Sequence, residues 1–266
     1  TYSIYCTVAF NEGIVETDVV KPLITSFSIP TNSESLIVPI NSFLASDNLG
    51  VEGYLLTETP TVPAANNSGW ISSAPTTYSF TEPGVKTLYA WVKDEVGNIS
   101  ESANAQVVIT LPTLGFKEVF TNTTQISSIQ AMPVTFNETG DIISISMYHN
   151  GGTGDAIFAV YSDQDRRPAQ RLGITAPTAV NSEEGWQTIE LTSPLTVTTG
   201  QKVWLAWLYE NTPPIRYDYG TPARALSNVE WGDGMVNSLI GLTSLGSLTY
   251  SIYCTVAFNE GIVETD

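Results

Sequence analysis

His149 is the only histidine of the chain, so any Ser–His–Asp relay or histidine-rich metal site would have to use it. It stands just before Asn150-Gly151-Gly152, where a strand is expected to end in a turn, and no GxSxG or HExxH pattern accompanies it. A packing or turn histidine is therefore expected. Carboxylate pairs are the other route to hydrolysis, because a glycosidase needs an acid and a base flanking one bond. Glu183, Glu184, Glu190, Glu210 and Glu230 are the candidates, but none stands in a motif, and acidic surface loops account for them. No catalytic residue is assigned, and an enzyme is not expected. For metals, Asp163 and Asp165 place oxygen ligands at alternate positions, which suits calcium. The Gly-centred loop that normally follows is missing, so an ordinary turn is favoured; calcium is the single cofactor the sequence leaves open.

The aromatic residues are the better binding candidates. Tyr148, Tyr209, Tyr217, Tyr219 and Trp231 fall near expected strand ends or loops, with Arg216 among them. Sugar C–H faces stack on such rings while a guanidinium donates hydrogen bonds; the competing role is packing, since aromatics supply much of a core's contact area. The two cysteines are Cys6 and Cys254. They occupy the same position of one repeated stretch, and a buried free thiol is expected for Cys254. A disulfide between copies is the alternative, and it requires the two Cα atoms to approach within about 7 Å.

That repeated stretch organises the rest. Residues 1–18, TYSIYCTVAFNEGIVETD, recur letter for letter at 249–266, a period of 248 residues. So long a period fits a tandem array of whole domains and not a solenoid of small units. Within it Tyr250, Ile252, Cys254, Val256 and Phe258 share one face, and Ser251, Tyr253, Thr255 and Ala257 the other, the period-two pattern of a strand. The earlier copy, Tyr2, Ile4, Cys6, Val8 and Phe10, has the same pattern. If 250–258 closes the domain before it, 2–10 has no place in the domain that follows it. An apolar strand with unpaired backbone groups is costly and adhesive. Residues 2–10 are thus expected to join the sheet of another copy, either along one longer polypeptide or by head-to-tail strand exchange between subunits. The chain begins at Thr1, without Met, and is expected to be a piece of something longer.

Composition sets the class. The 266 residues suffice for two ordinary domains, and Lys plus Arg number 10 against 27 Asp plus Glu, for a net charge of −17. Such a surface repels nucleic acid and anionic lipid, tolerates salt and attracts divalent cations. No apolar run approaches the ~18 residues of a membrane span.

Two modules follow the terminal stretch 1–18. In 19–112 the expected strands are Ile24–Ile29, Leu36–Phe43, Val51–Thr57, Thr76–Phe80, Lys86–Lys93 and Ala105–Thr110, with turns at Asp47-Asn48, Asn66–Gly69, Pro83-Gly84 and Gly97-Asn98. Thr87–Val92 is apolar on both faces, as a central strand is. In 113–266 they are Ala131–Phe136, Asp141–Tyr148, Ala156–Tyr161, Gln187–Leu191, Lys202–Tyr209 and Tyr250–Phe258, with Ile143, Ile145 and Met147 assigned to one face and Ser144 and Ser146 to the other. The fold expected is all-β: one sandwich of about 100 residues, then a larger antiparallel sandwich of jelly-roll type.

The strings SDNLGVEGYLLTE (46–58), GWISSAP (69–75) and YSFTEPGVKTLYAWVKDEVGNIS (78–100) resemble bacterial Ig-like repeats of secreted and surface proteins. That resemblance implies a spacer or stalk with no catalytic residues. ISISMYHNGGTGDAIFAVYSD (143–163), GWQTIELTSPLTVTTGQKVWLAW (185–207) and RYDYGTPARA (216–225) resemble jelly-roll accessory domains of bacterial extracellular proteins, some of which bind sugars. The expected role is a structural repeat of an extracellular or cell-surface filament, sheath or adhesin stalk, whose partners are other copies of itself. The alternative is a carbohydrate-binding module on a spacer.

Overall fold

The computed structural model describes residues 18–258. The assembly-strand residues Tyr2, Ile4, Cys6, Val8 and Phe10 lie outside them. The described chain is built from β-strands, and its one helical segment is a 3-10 turn at Trp231–Asp233. No helix among the described residues is long and apolar enough to cross a membrane. Two compact units form: one holds 18–31, 38–78 and 85–107, the other 32–37, 79–84 and 108 onward.

In the first unit β1 (Leu23–Ser28) pairs antiparallel with β4 (Ser42–Ser46), and β5 (Val51–Thr57) pairs with β7 (Gly84–Asp94). β7 lies between β5 and β8 (Ala103–Ile109), and Leu88, Ala90, Trp91 and Val92 are all buried, as its two apolar faces require. Phe43, Ala90 and Val92 form the core between the sheets, with Phe27 and Tyr54 set edge-on to Phe43. The single strand expected over Leu36–Phe43 is divided: β3 (Ile37–Pro39) pairs with β6 (Thr77–Ser79), while β4 pairs with β1. The chain changes partners at Ile40 and Asn41, whose amides bond Thr76 and Ser28, just after a proline that has no amide to give. β2 (Asn32–Ser33) runs parallel to the end of β8.

The second unit is the larger antiparallel sandwich. One layer is ordered β14 (Arg167–Ile174), β13 (Asp155–Gln164), β17 (Lys202–Tyr209), β11 (Ser128–Thr135) and β18 (Ile215–Glu230). The other runs β16 (Glu184–Val197), β12 (Gly140–Asn150), β20 (Ile252–Phe258) and β9 (Thr113–Gly115). Short strands β10 (Asn122–Thr124) and β15 (Thr178–Ala179) pair with β18 and β13, and β19 (Thr243–Tyr250) pairs along β18. β18 joins the layers, because Ile215 at its start is bridged to β12 and Ala225 and Leu226 pair with β11.

Two cores explain the long apolar runs. Between the layers lie Met132 and Val134 of β11, Ile142, Ile145 and Met147 of β12, Phe158 and Val160 of β13, Leu205 and Trp207 of β17, and Tyr250, Ile252, Cys254 and Val256. Behind the first layer Ala131, Tyr161, Trp204 and Leu208 meet Met235 and Leu239 from the segment after the 3-10 turn. β17 is therefore covered on both faces, which is why KVWLAWLY does not alternate. In β12 the face assignment of Ile143 is corrected. A bulge between Ile142 and Ser144 shifts the phase, so Ile142 joins Ile145 and Met147 inside and Ile143 is left half-buried.

β20 is an interior strand. Seven of its residues pair with β12, three of these also with β9, and Ile252, Cys254 and Val256 reach the core with no measurable exposure. Gly115 is required on its far side, since a Cβ there would stand 2.5 Å from the Ile252 carbonyl oxygen. Burying each such aliphatic side chain stabilises by roughly 1.5–3 kcal/mol. Ile252→Ala is accordingly expected to cost about 2–5 kcal/mol in urea unfolding. The same change at the exposed Ile240 should leave the midpoint within about 0.5 kcal/mol of wild type.

Candidate functional site

The face of the second layer that looks away from the core carries a cluster of rings and charges. Tyr148 on β12 stands opposite Trp186 on β16, with centroids 5.5 Å apart and planes at 85°. Trp186 reaches across to Tyr253 on β20 at 4.7 Å and 57°. All three rings are half-buried. Period two puts them together: Met147, Ile252 and Cys254 point inward, so their neighbours Tyr148 and Tyr253 point out. The Arg216 guanidinium lies 6.0 Å from the Tyr148 ring centre, and Lys117 Nζ 5.5 Å from that of Tyr253. Glu184 closes the cluster: its Oε1 accepts from Arg216 Nη2 at 2.6 Å and from the Tyr148 hydroxyl at 3.2 Å. The Arg216 bond first, then that of Tyr148, holds the Glu184 carboxyl below its ordinary range. Between the rings Ser146 and Thr188 share a hydrogen bond of 2.7 Å.

The residues singled out from the sequence divide. Tyr148 and Arg216 come together here. Tyr217 and Tyr219 meet each other, 5.7 Å apart, on the other face of β18, where Tyr217 packs on Tyr250 and Tyr219 is open to solvent. Trp231 rests against the rear core. Tyr209 is a correction: it is 2 % exposed, packed between Phe158 and His149, and no ligand can reach it. Trp186 and Tyr253 were not singled out. Their signal was present in outward positions on strands, but the pairing of β16 and β20 with β12 had to be known before they met.

The calcium candidates Asp163 and Asp165 lie at the β13–β14 turn, and the one group of three potential metal ligands found among the described residues does not include them. The Asp163 carboxylate accepts from Trp204 Nε1 at 2.7 Å and pairs with Lys202 at 3.3 Å. Asp165 and Arg166, both at positive φ, make the tight turn between β13 and β14. Among the other carboxylates, Glu210 accepts the Asp155 amide and Glu230 begins the 3-10 turn, where Asp233 accepts its amide. A cleft of about 500 Å³ is lined by Leu114, Phe116, Pro133, Val134, Lys202 and Pro222, with no carboxylate in its lining.

His149 is the last buried residue of β12, with no measurable exposure. The Gly151 amide donates to its Nδ1 at 3.0 Å, so the ring proton sits on Nε2, which donates to Gln187 Oε1 at 2.9 Å. Both nitrogens are used inside the fold, and burial lowers its pKa from the ordinary histidine value. Cys254 is likewise structural. Burial pushes its thiol up to about 12, and Sγ contacts the Leu114 carbonyl oxygen at 3.5 Å.

No protein-family model matches the sequence, and no curated protein matches it. Solved structures superpose loosely. The chitinase ChiA74 from Bacillus thuringiensis is 12 % identical with a TM-score of 0.28 over 75 % of this chain, which spans 28 % of the length of that enzyme. A carbohydrate-binding module of the beta-sandwich superfamily is 13 % identical with a TM-score of 0.29, covering 92 % of this chain and all of that one. The SusE-like protein BT2857 is 8 % identical with a TM-score of 0.24, covering 86 % and 96 %. The fold described above rests on the strands themselves and not on these superpositions.

Two outcomes follow from the buried groups. A histidine whose folded pKa is lowered adds stability that is full above its unfolded value and is lost as pH falls through it. Wild-type stability is therefore expected to drop below about pH 6.5. His149→Gln should show a shallower loss between pH 7 and 5 in parallel urea titrations; equal slopes would mean His149 takes no part. In a Cys6→Ser variant, Cys254 should resist a disulfide reagent in the folded state and react within minutes in denaturant.

Proposed function

We propose that the chain is a repeat of an extracellular or cell-surface stalk or filament, with residues 2–10 serving as the closing strand of the copy that precedes it. The observation carrying this reading is the position of β20. A sequence identical to residues 4–10 is, at 252–258, an interior strand hydrogen-bonded along both edges, with its alternate residues in the core. Residues 4–10 need the same surroundings, and the place for them in this second unit is already taken by 252–258.

That occupancy also bears on how copies are joined. Strand exchange between separate subunits would first have to strip β20 from both β12 and β9 and expose Ile252, Cys254 and Val256. Covalent succession needs no such step, because each copy's last strand is followed directly by the next copy. Tandem succession along one polypeptide is thus favoured over head-to-tail exchange of free subunits, and the first sandwich becomes a spacer between larger ones.

A second reading is supported by the Tyr148–Trp186–Tyr253 cluster. Half-buried rings on an outward sheet face, beside a guanidinium, an ammonium and a carboxylate, are groups suited to recognising a polysaccharide. Partners would then be neighbouring copies and a cell-surface or matrix glycan. Nothing in this chemistry calls for nucleic acid.

The strand reading is tested by emptying the slot. A chain lacking residues 250–266 keeps the donor sequence at 2–10 but has no β20. It should self-associate in sedimentation, or bind a free peptide of residues 1–18, while the intact chain stays monomeric and ignores the peptide. A truncated chain that neither associates nor takes up the peptide would end the proposal. For the second reading, Trp186→Ala should weaken retention on a bound polysaccharide by tenfold or more, with Tyr219→Ala as a neutral control.

A further inference from the structure

The first unit holds a cluster that neither reading uses. Asp18, Asp47 and Asp94 each offer a carboxylate oxygen to one small space, and these oxygens all lie within 4.8 Å of one another. They come from three places: the stretch leading into β1, the turn after β4, and the end of β7. Each carboxylate is held by the turn around it. Asp18 Oδ1 accepts from the Val20 amide at 2.9 Å and from Asn48 Nδ2 at 3.2 Å. Asp47 Oδ2 accepts from the Leu49 and Gly50 amides at 2.9 and 3.1 Å. Asp94, 1 % exposed, takes the Gly97 and Asn98 amides at 2.8 Å each on Oδ1 and Asn98 Nδ2 at 2.6 Å on Oδ2.

A second feature points to a ligand. Asp18 Oδ2 and Asp47 Oδ1 are closed to solvent and have no hydrogen-bond donor among the described residues. A buried carboxylate oxygen without a donor is costly, and two of them beside a third carboxylate are more so. None of the ion pairs among the described residues brings a Lys or Arg to this trio. A cation from solution would supply the missing partner. A set of carboxylate oxygens drawn from turns suits calcium, which takes six to eight oxygen ligands in flexible geometry, whereas magnesium demands near-ideal octahedral geometry and keeps several of its waters.

We propose that Asp18, Asp47 and Asp94 bind a calcium ion that fastens the stretch entering the first unit to the end of its sheet. Backbone carbonyls and water supply the remaining ligands. The Asn98 side chain already bonds the Asp18 and Val20 carbonyl oxygens, at 3.0 and 3.3 Å, so the entering stretch is latched at the same point. Asp18 is the last residue of the repeated 18-residue segment, and Asp266 is its counterpart. On the tandem reading, one ion would sit where each copy leads into the next and stiffen that joint. The site itself rests on the first unit alone, so the strand experiment can fail while this one succeeds.

Calcium chloride titrated into the metal-stripped full chain should show one site by calorimetry. The melting temperature of the unit should rise by on the order of 10 °C at a hundredfold excess over Kd. Magnesium should bind at least tenfold more weakly. Asp47→Asn should lose at least tenfold in calcium affinity, yet melt no lower than wild type without metal, because it relieves the crowding of carboxylates. Asp163→Asn should respond as wild type does. Hydrogen exchange at residues 18–21 should slow with calcium. A wild-type chain with no binding heat and one melting temperature with or without calcium would overturn the proposal, as would an Asp47→Asn chain with the full response.

Discussion

The backbone ladder on both edges of β20 is the interaction on which the second sandwich depends. It ties β12 to β9 and carries Ile252, Cys254 and Val256 into the centre of the largest core. A strand in that position cannot be left out without exposing donors, acceptors and apolar surface together. It is also the strand whose sequence occurs twice. One core has room for one such strand, and the proposed succession of copies rests on that constraint.

The same ladder positions the outer face. Because β20 and β16 flank β12, period-two alternation brings Tyr148, Trp186 and Tyr253 side by side. The rings meet at steep angles and the charged groups neutralise one another through Arg216 and Glu184. The cluster therefore covers the sheet and at the same time presents polar and aromatic groups to solvent. The first unit repeats the theme at smaller scale: turn hydrogen bonds that shape the Asp47 and Asp94 loops also orient their carboxylates toward Asp18.

Histidine and cysteine, the residues with the most obvious chemical capacity, serve packing. His149 spends both ring nitrogens on Gly151 and Gln187, and the Cys254 thiol is sealed beneath β9. Polar groups in a core are tolerated when each has a partner.

Much of the architecture was legible in the residues alone. Alternation marks β20, the two-faced apolar run of β7 announces a strand covered on both sides, and the 18 duplicated residues mark a repeated segment, because burial imposes its period locally. β18 was not legible as one strand, since Gly220 and Pro222 interrupt it and its register shifts between Tyr219 and Arg224. Nor was the phase of Ile143, where a single bulge reverses inside and outside. The sites were the least visible. Asp18, Asp47 and Asp94, like Tyr148, Trp186 and Tyr253, are far apart in the chain, and no local pattern encodes their meeting. Burial periodicity is a property of each strand and can be read along it. Which strands lie beside one another is decided by the packing of the whole, and only there do distant side chains become a site.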